Sequence, residues 1–229
     1  MVLKRDDFLF YIFFTACAIA LITFVNWRHL YASCLESLRF SAFQVVSIST
    51  TTGFVNTDFN YWPEFSKIFL ILLMLMGACA GSTSGAIKNI RIVILFKCLV
   101  RELKKMLHPS GVFIVRVNGK RVEESDLLRT IVFVSTYLLI FLIITTLLLL
   151  ATNLDPTSAL SATAATLGGV GPGLALVGPM GNFADVSTVG KWILILSMLL
   201  GRLEILAFLV VIHPKFWLPL NIKWRSTSE

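Results

Sequence analysis

Apolar residues in this chain come in long unbroken runs, not in the alternating rhythm of half-buried strands or the one-sided rhythm of surface helices. Phe8 to Val25 is the first run. At about 1.5 Å per residue it crosses nearly all of a ~30 Å hydrocarbon layer, and Trp27 and Tyr31 follow it like interfacial aromatics. Phe65 to Val100 is the second run. As straight helix it would reach about 50 Å, more than a bilayer needs, so a break is expected. The stretch Gly77-Ala-Cys-Ala-Gly-Ser-Thr-Ser-Gly85 supplies small residues for that break. Thr130 to Ala151 and Ser187 to Ile212 complete four predicted spans, and the last carries Arg202 and Glu204 inside it.

Two less apolar segments, Glu36 to Ser49 and Pro156 to Thr166, are too short to cross. Each leads into a Thr- and Gly-containing stretch: Ser49-Thr-Thr-Thr-Gly-Phe54 and Thr166-Leu-Gly-Gly-Val-Gly-Pro-Gly173. The pattern predicts a short helix that enters the membrane and stops, followed by an extended return. Such backbone survives at that depth only where protein buries it or a watery cavity meets it. Lys97 to Arg129 is a polar centre, and Val112 to Val122, with Asn118-Gly119 between β-formers, predicts a β-hairpin. Lys67 to Gly77 and Lys191 to Gly201 agree at seven of eleven positions. The order helix, re-entrant segment, Gly turn, helix also occurs twice. The expected fold is therefore an all-α integral membrane protein of two tandem helix–pore-loop–helix repeats, over residues 1–100 and 130–229. Residues 101–129 are the linker that carries the hairpin.

Composition agrees with this picture. Of 229 residues 56% are hydrophobic and only 14% charged, where soluble domains are roughly 45–50% apolar. The net charge of +7 sits between the apolar runs without interleaved aromatics, which points to the positive-inside bias and away from nucleic acid. That bias puts the basic centre in the cytoplasm, together with Lys4 and Arg5 at one terminus and Lys215, Lys223 and Arg225 at the other; both re-entrant segments then lie outside. No small-residue cleavage site follows the first run, which is expected to be retained as a helix. Cys17, Cys34, Cys79 and Cys98 form no paired motif, so neither a disulfide framework nor a zinc site is expected. Ser82, Thr83, Ser84 and His108 are the only nucleophile and base candidates, and no catalytic pattern accompanies them. An enzyme is not expected, nor a covalently bound cofactor.

A cation crossing lipid must exchange its water for other oxygens, and rings of backbone carbonyls supply them. Gly permits the dihedrals that aim carbonyls at an axis, and a short helix pointing its C-terminal end there adds partial negative charge. Thr50-Thr-Thr-Gly53-Phe54 and Ala165-Thr-Leu-Gly168-Gly169 fit that design. With Gly77 to Lys88 and Gly201-Arg-Leu-Glu204, these stretches resemble four motifs of the Trk/Ktr/HKT superfamily of potassium-uptake proteins. In order, the motifs are the third filter loop, the intramembrane gating loop, the fourth filter loop and the arginine motif of the last helix. The resemblance covers nearly the whole chain.

It implies a selectivity filter of Thr50, Thr51, Thr52, Gly53, Phe54, Thr166, Leu167, Gly168 and Gly169. K+, the transported ion, would lie on the carbonyls of Thr51, Thr52, Gly53, Thr166, Leu167 and Gly168. Gly77, Ala80, Gly81, Ser82, Thr83, Ser84 and Gly85 would form the gating loop, with Arg202 against it as a barrier; Glu204 is read as packing and Lys88 as snorkelling. Superfamily members carry four such units, and this chain matches the third and fourth. A complete pore therefore implies a second two-repeat chain or the missing N-terminal half. The alternative is a non-conducting subunit that associates with a full-length transporter or regulator. A cytoplasmic nucleotide-binding regulatory subunit, with the hairpin as a docking surface, is the implied soluble partner. The implied location is the bacterial inner membrane, with potassium or sodium moving passively or coupled to another ion.

Overall fold

The computed structural model describes residues 6–79, 81–82, 85–109, 111–203, 205–212 and 214–217. Its elements run α1 (Asp6–His29), α2 (Cys34–Ser49), α3 (Glu64–Leu75), α4 (Asn89–Leu107), β1 (Arg116–Val117), β2 (Lys120–Arg121), α5 (Glu124–Ala151), α6 (Pro156–Gly168), α7 (Thr188–Arg202), α8 (Ile205–Ile212) and α9 (Pro214–Trp217). The two short strands pair antiparallel, Arg116 with Arg121 and Val117 with Lys120. They turn on Asn118 and Gly119, both at positive φ.

Two of the four apolar runs form uninterrupted helices. α1 has 24 residues and α5 has 28, and each is long and apolar enough to cross a membrane. Leu9, Phe13 and Phe24 on α1 and Leu128, Leu139 and Leu142 on α5 are exposed, a cost in water that lipid removes.

The other two runs are broken. α3 stops after 12 residues, about 18 Å of helix. Its orphaned backbone groups are met by a parallel pairing across the break. Gly77 N–H donates to the Ile87 carbonyl at 2.9 Å, Ile87 N–H to Leu75 at 3.1 Å, and Asn89 N–H to Ala78 at 3.2 Å. The expected single span from Ser187 to Ile212 is divided too: α7 ends at Arg202 and α8 departs at 109°. Gly201 and the charged Arg202 fall at this break, and the apolar residues on either side conceal it in the sequence.

α6 sits at the centre. It packs against α5, α7 and, from the first half of the chain, α3. Ten of its residues are buried, Ser158, Ala159 and Ser161 to Gly168, nearly all of them small, so neighbouring helices approach closely. Two of its buried hydroxyls donate back to the helix, Thr163 to the Ala159 carbonyl at 2.9 Å and Thr166 to Ala162 at 2.7 Å. α2, the corresponding short helix of the first half, packs on α1 and α3 and leaves Leu35, Leu38 and Val46 exposed. A buried polar knot joins α1, α2 and α3. Ser66 donates to Asn26 Oδ1 at 2.7 Å, Asn26 Nδ2 to Ser41 at 3.3 Å, and Ser37 to the Thr23 carbonyl at 2.9 Å.

Candidate functional site

The two short helices end in the same way. After α2, Thr51 N–H donates to the Ile48 carbonyl at 3.0 Å, and Thr52 and Gly53 N–H share the Ser47 carbonyl at 3.0 and 3.4 Å. After α6, Gly169 N–H donates to Thr166 at 3.2 Å, and Val170 and Gly171 N–H share Ala165 at 2.8 and 3.5 Å. Positive φ falls at Thr51 (59°) and Gly53 (74°) in one loop, and at Gly169 (73°) and Gly171 (108°) in the other. Every correspondence is 118 positions, so Gly53 pairs with Gly171 and Thr51 with Gly169. For Thr51, a residue with a Cβ, that conformation costs about 1–2 kcal/mol and persists because its surroundings impose it.

Side chains hold the first loop. Ser47 donates to the Phe54 carbonyl at 2.7 Å, Thr52 Oγ1 to the Ser47 carbonyl at 3.1 Å and Thr50 Oγ1 to the Val46 carbonyl at 2.7 Å. Among the described residues, the carbonyls of Thr51, Thr52, Gly53, Gly169, Val170 and Gly171 accept no hydrogen bond. The two loops also touch: a Cβ on Gly53 would lie 2.2 Å from the Val170 carbonyl oxygen and 3.2 Å from Pro172 Cδ.

Outside this pair, the return segments are clasped by one amide. Asn60 Oδ1 accepts from Ala175 N–H at 2.8 Å, and Asn60 Nδ2 donates to the Ala175 carbonyl at 3.2 Å. The α6 N-terminus is held by Asp155, which accepts from Ser158 N–H at 3.1 Å and from Ser158 Oγ at 2.5 Å. Burial alone would raise the Asp155 pKa, but these donors and neighbouring backbone amides outweigh it and leave it below the usual 3.8. A carboxylate with a lowered folded pKa stabilises fully above its ordinary value and loses the contribution as pH falls through the folded one. Asp155→Ala is therefore expected to cost about 1 kcal/mol at neutral pH. Thermal melts of the two proteins should converge as pH drops below the usual carboxylate range; a gap unchanged by acid would exclude this role for the charge.

A cavity of about 760 Å³ opens beside the first loop, lined among others by Thr50, Thr51, Thr52, Thr166, Gly169, Gly85 and Arg202. It brings together residues from both expected filter segments, the break after α3 and the end of α7. Thr166 and Leu167 remain in α6. The Thr166 carbonyl accepts the Gly169 amide, and its hydroxyl oxygen lies within hydrogen-bond distance of Ser197 Oγ on α7, at 3.1 Å. The Leu167 carbonyl oxygen lies against backbone: a Cβ built on Gly85 or Gly201 would sit 2.9 or 2.1 Å from it. Gly168 is also buried, its Cβ position 2.4 Å from the Met74 carbonyl oxygen. In the loop after α3, Ser82 N–H donates to the Cys79 carbonyl at 2.9 Å, and Gly81 is exposed and has open space around it. Gly77 is held in the parallel pairing. Ala80, Thr83, Ser84 and Glu204 lie outside the described residues. Sequence reasoning placed Gly171 inside the second loop stretch without giving it a role, and passed over Ser47, Asn60 and the contact made by Gly201. For Gly171, the Gly-x-Gly spacing after α6 was the available signal.

Residues 8–218 match the sequence profile of a family described as TrkH, cation transport protein. The chain is 41% identical over 215 residues to the Trk system potassium uptake protein TrkH of Salmonella typhimurium, covering 93% of this chain and 44% of that protein. It is 29% identical over 216 residues to the Trk system potassium uptake protein TrkG of Escherichia coli, with 94% and 44% covered. The crystal structure of the potassium transporter TrkH from Vibrio parahaemolyticus superposes with a TM-score of 0.86 at 38% identity, covering 94% of this chain and 46% of that one. The chain thus spans less than half the length of these relatives.

Proposed function

The chain belongs to the TrkH family of cation transport proteins, transporters and not enzymes, and from that premise we propose that it forms half of a potassium-conducting pore in the bacterial inner membrane. The observation that carries this reading is the pair of adjoining loops in which, among the described residues, the carbonyls of Thr51 to Gly53 and of Gly169 to Gly171 accept no hydrogen bond. Unpaired carbonyls are costly in a membrane interior, and a dehydrated cation offsets that cost. In an ordinary strand successive carbonyls point to opposite sides; alternating the sign of φ, as Thr51–Gly53 and Gly169–Gly171 do, turns them toward one side. The C-terminal ends of α2 and α6 add partial negative charge beneath.

On this reading the filter comprises Thr50 to Phe54 and, by the shared register, Gly168 to Pro172. The ligating carbonyls of the second loop are then those of Gly169 to Gly171, in place of Thr166 to Gly168. Gly77 to Gly85 obstruct the path below, and Arg202 at the same cavity repels cations until that loop moves. The two units are 1–100 and 130–229, with the 101–129 linker and both termini cytoplasmic.

The packing also supports a place for the rest of the ring. α6 is covered by α3 of the preceding unit, whereas the matching side of α2 is open; Trp192, Ile195 and Leu199 on α7 form an exposed stripe at helical spacing. A preceding unit would cover α2 and a following pore helix would cover α7, whether from the missing N-terminal half or from a second two-repeat chain. A cytoplasmic nucleotide-binding subunit would meet the basic linker.

The test is potassium uptake at limiting external potassium in cells lacking their own uptake systems. The chain would be expressed alone and with a polypeptide carrying the first two units of a TrkH relative. Uptake is expected in at least one arrangement and should be lost in Gly171→Ala. That glycine has φ of 108° and nothing within 4 Å of its Cβ position, so the change acts on dihedral and not on packing. Inserted protein without uptake in either arrangement would replace this reading with a non-conducting associating subunit.

A further inference from the structure

A second cavity, of about 750 Å³, lies between α4, the hairpin, the start of α5 and α8, away from the filter loops. Arg91, Lys120, Arg121 and Arg129 line it, with Asp126 the one carboxylate among the described lining residues. The cations are positioned from different directions. Arg91 lies over the Phe133 ring, its Cζ 3.6 Å from the centroid, which holds the guanidinium at the cavity wall. Lys120 and Arg121 follow a turn that is tied down. Asn118 N–H donates to Asp6 Oδ2 at 3.2 Å, Asn118 Oδ1 accepts from Asp6 N–H at 2.6 Å, and Lys97 bridges Asp6 Oδ2 at 2.7 Å to the Arg116 carbonyl at 2.9 Å. Arg129 pairs only loosely with Asp126, at 3.7 Å, and its side chain is 80% exposed.

The rest of the lining is apolar, including Ile90, Ile94 and Phe133. From the same end of α5 an exposed apolar stripe begins at Leu128 and continues through Ile131 and Val132 to Leu139. Cations gathered over an apolar floor, at the point where a membrane-length helix starts, match a phosphodiester with hydrocarbon attached. A free inorganic anion would gain nothing from the apolar wall. The geometry points to a binding site for the headgroup of an anionic phospholipid, its phosphate held by Arg91, Lys120, Arg121 and Arg129 and its acyl chains laid along α5. This inference needs α5 to cross a membrane and does not depend on whether the chain conducts.

The test is lipid binding by the full chain purified in neutral detergent, read by native mass spectrometry during titration with phosphatidylglycerol, phosphatidylcholine or inorganic phosphate. Saturable retention of phosphatidylglycerol over phosphatidylcholine is expected. Lys120→Gln with Arg121→Gln should weaken it about 30-fold, from roughly tenfold per 1.4 kcal/mol and about 1 kcal/mol per basic residue. Lys104→Gln with Lys105→Gln removes equal charge from exposed positions elsewhere on α4 and should change binding by no more than about twofold. Equal weakening by both pairs, or by neither, overturns the site. Full displacement of phosphatidylglycerol by inorganic phosphate overturns the lipid and leaves a free-phosphate site.

Discussion

Gly53→Ala is expected to reduce cation flux by at least about tenfold while leaving the protein inserted in the membrane. The backbone there has φ of 74°, a conformation that costs a residue with a side chain about 1–2 kcal/mol. The added methyl would also stand 2.2 Å from the Val170 carbonyl oxygen. Because that oxygen belongs to backbone, no side chain can rotate to relieve the contact, so the loops after α2 and α6 must separate. A barrier raised by about 1.4 kcal/mol already slows passage tenfold. Isotopic potassium uptake, with membrane insertion measured in the same cells, reads the effect. Normal uptake in the variant would remove the first loop from the ion path.

Gly201→Ala is expected to lower stability instead, by about 2–3 kcal/mol, or roughly 5–10 °C in apparent melting temperature. Its Cβ would meet the Leu167 carbonyl oxygen at 2.1 Å and the carbonyl carbon at 2.9 Å. On the other side Gly85 is also close, with a Cβ position 2.9 Å from both the Gly201 and the Leu167 oxygens. Three backbone segments, the end of α6, the loop after α3 and the end of α7, therefore meet with no room for a methyl group. A thermal melt of the detergent-purified chain that does not move would mean this junction yields easily.

Much of the architecture could be read from residue order because it depends on local properties. Length and apolarity define α1 and α5, small residues from Gly77 to Gly85 mark the gap after α3, and Asn118-Gly119 marks the turn between β1 and β2. The register of the second loop depends on where α6 stops, and four glycines between 168 and 173 leave that open. The hydrogen bonds from Gly169 and Val170 decide it, since they extend the last turn of α6 past Thr166 and Leu167. The division of α7 from α8 is hidden for a related reason: a long apolar run reads alike whether straight or broken. The contact of Gly201 with Leu167, and the clasp of Asn60 with Ala175, join positions far apart in the chain and leave no local trace.

The spacing of corresponding positions bears on how such a chain could arise by duplication. Through the loops after α2 and α6 the halves keep step: Thr51 and Gly169 are 118 positions apart, as are Gly53 and Gly171. Lys67 and Lys191, in the next helices, are 124 apart, so the divergence in length falls in the segment that returns from the filter. A residue inserted within a helix would rotate everything beyond it by about 100° and advance it about 1.5 Å, taking carbonyls off their axis. A longer surface loop costs only about 0.6 kcal/mol per doubling. Drift between ancestral copies would then have accumulated in that return segment, and insertions there are the changes such a scaffold absorbs most readily.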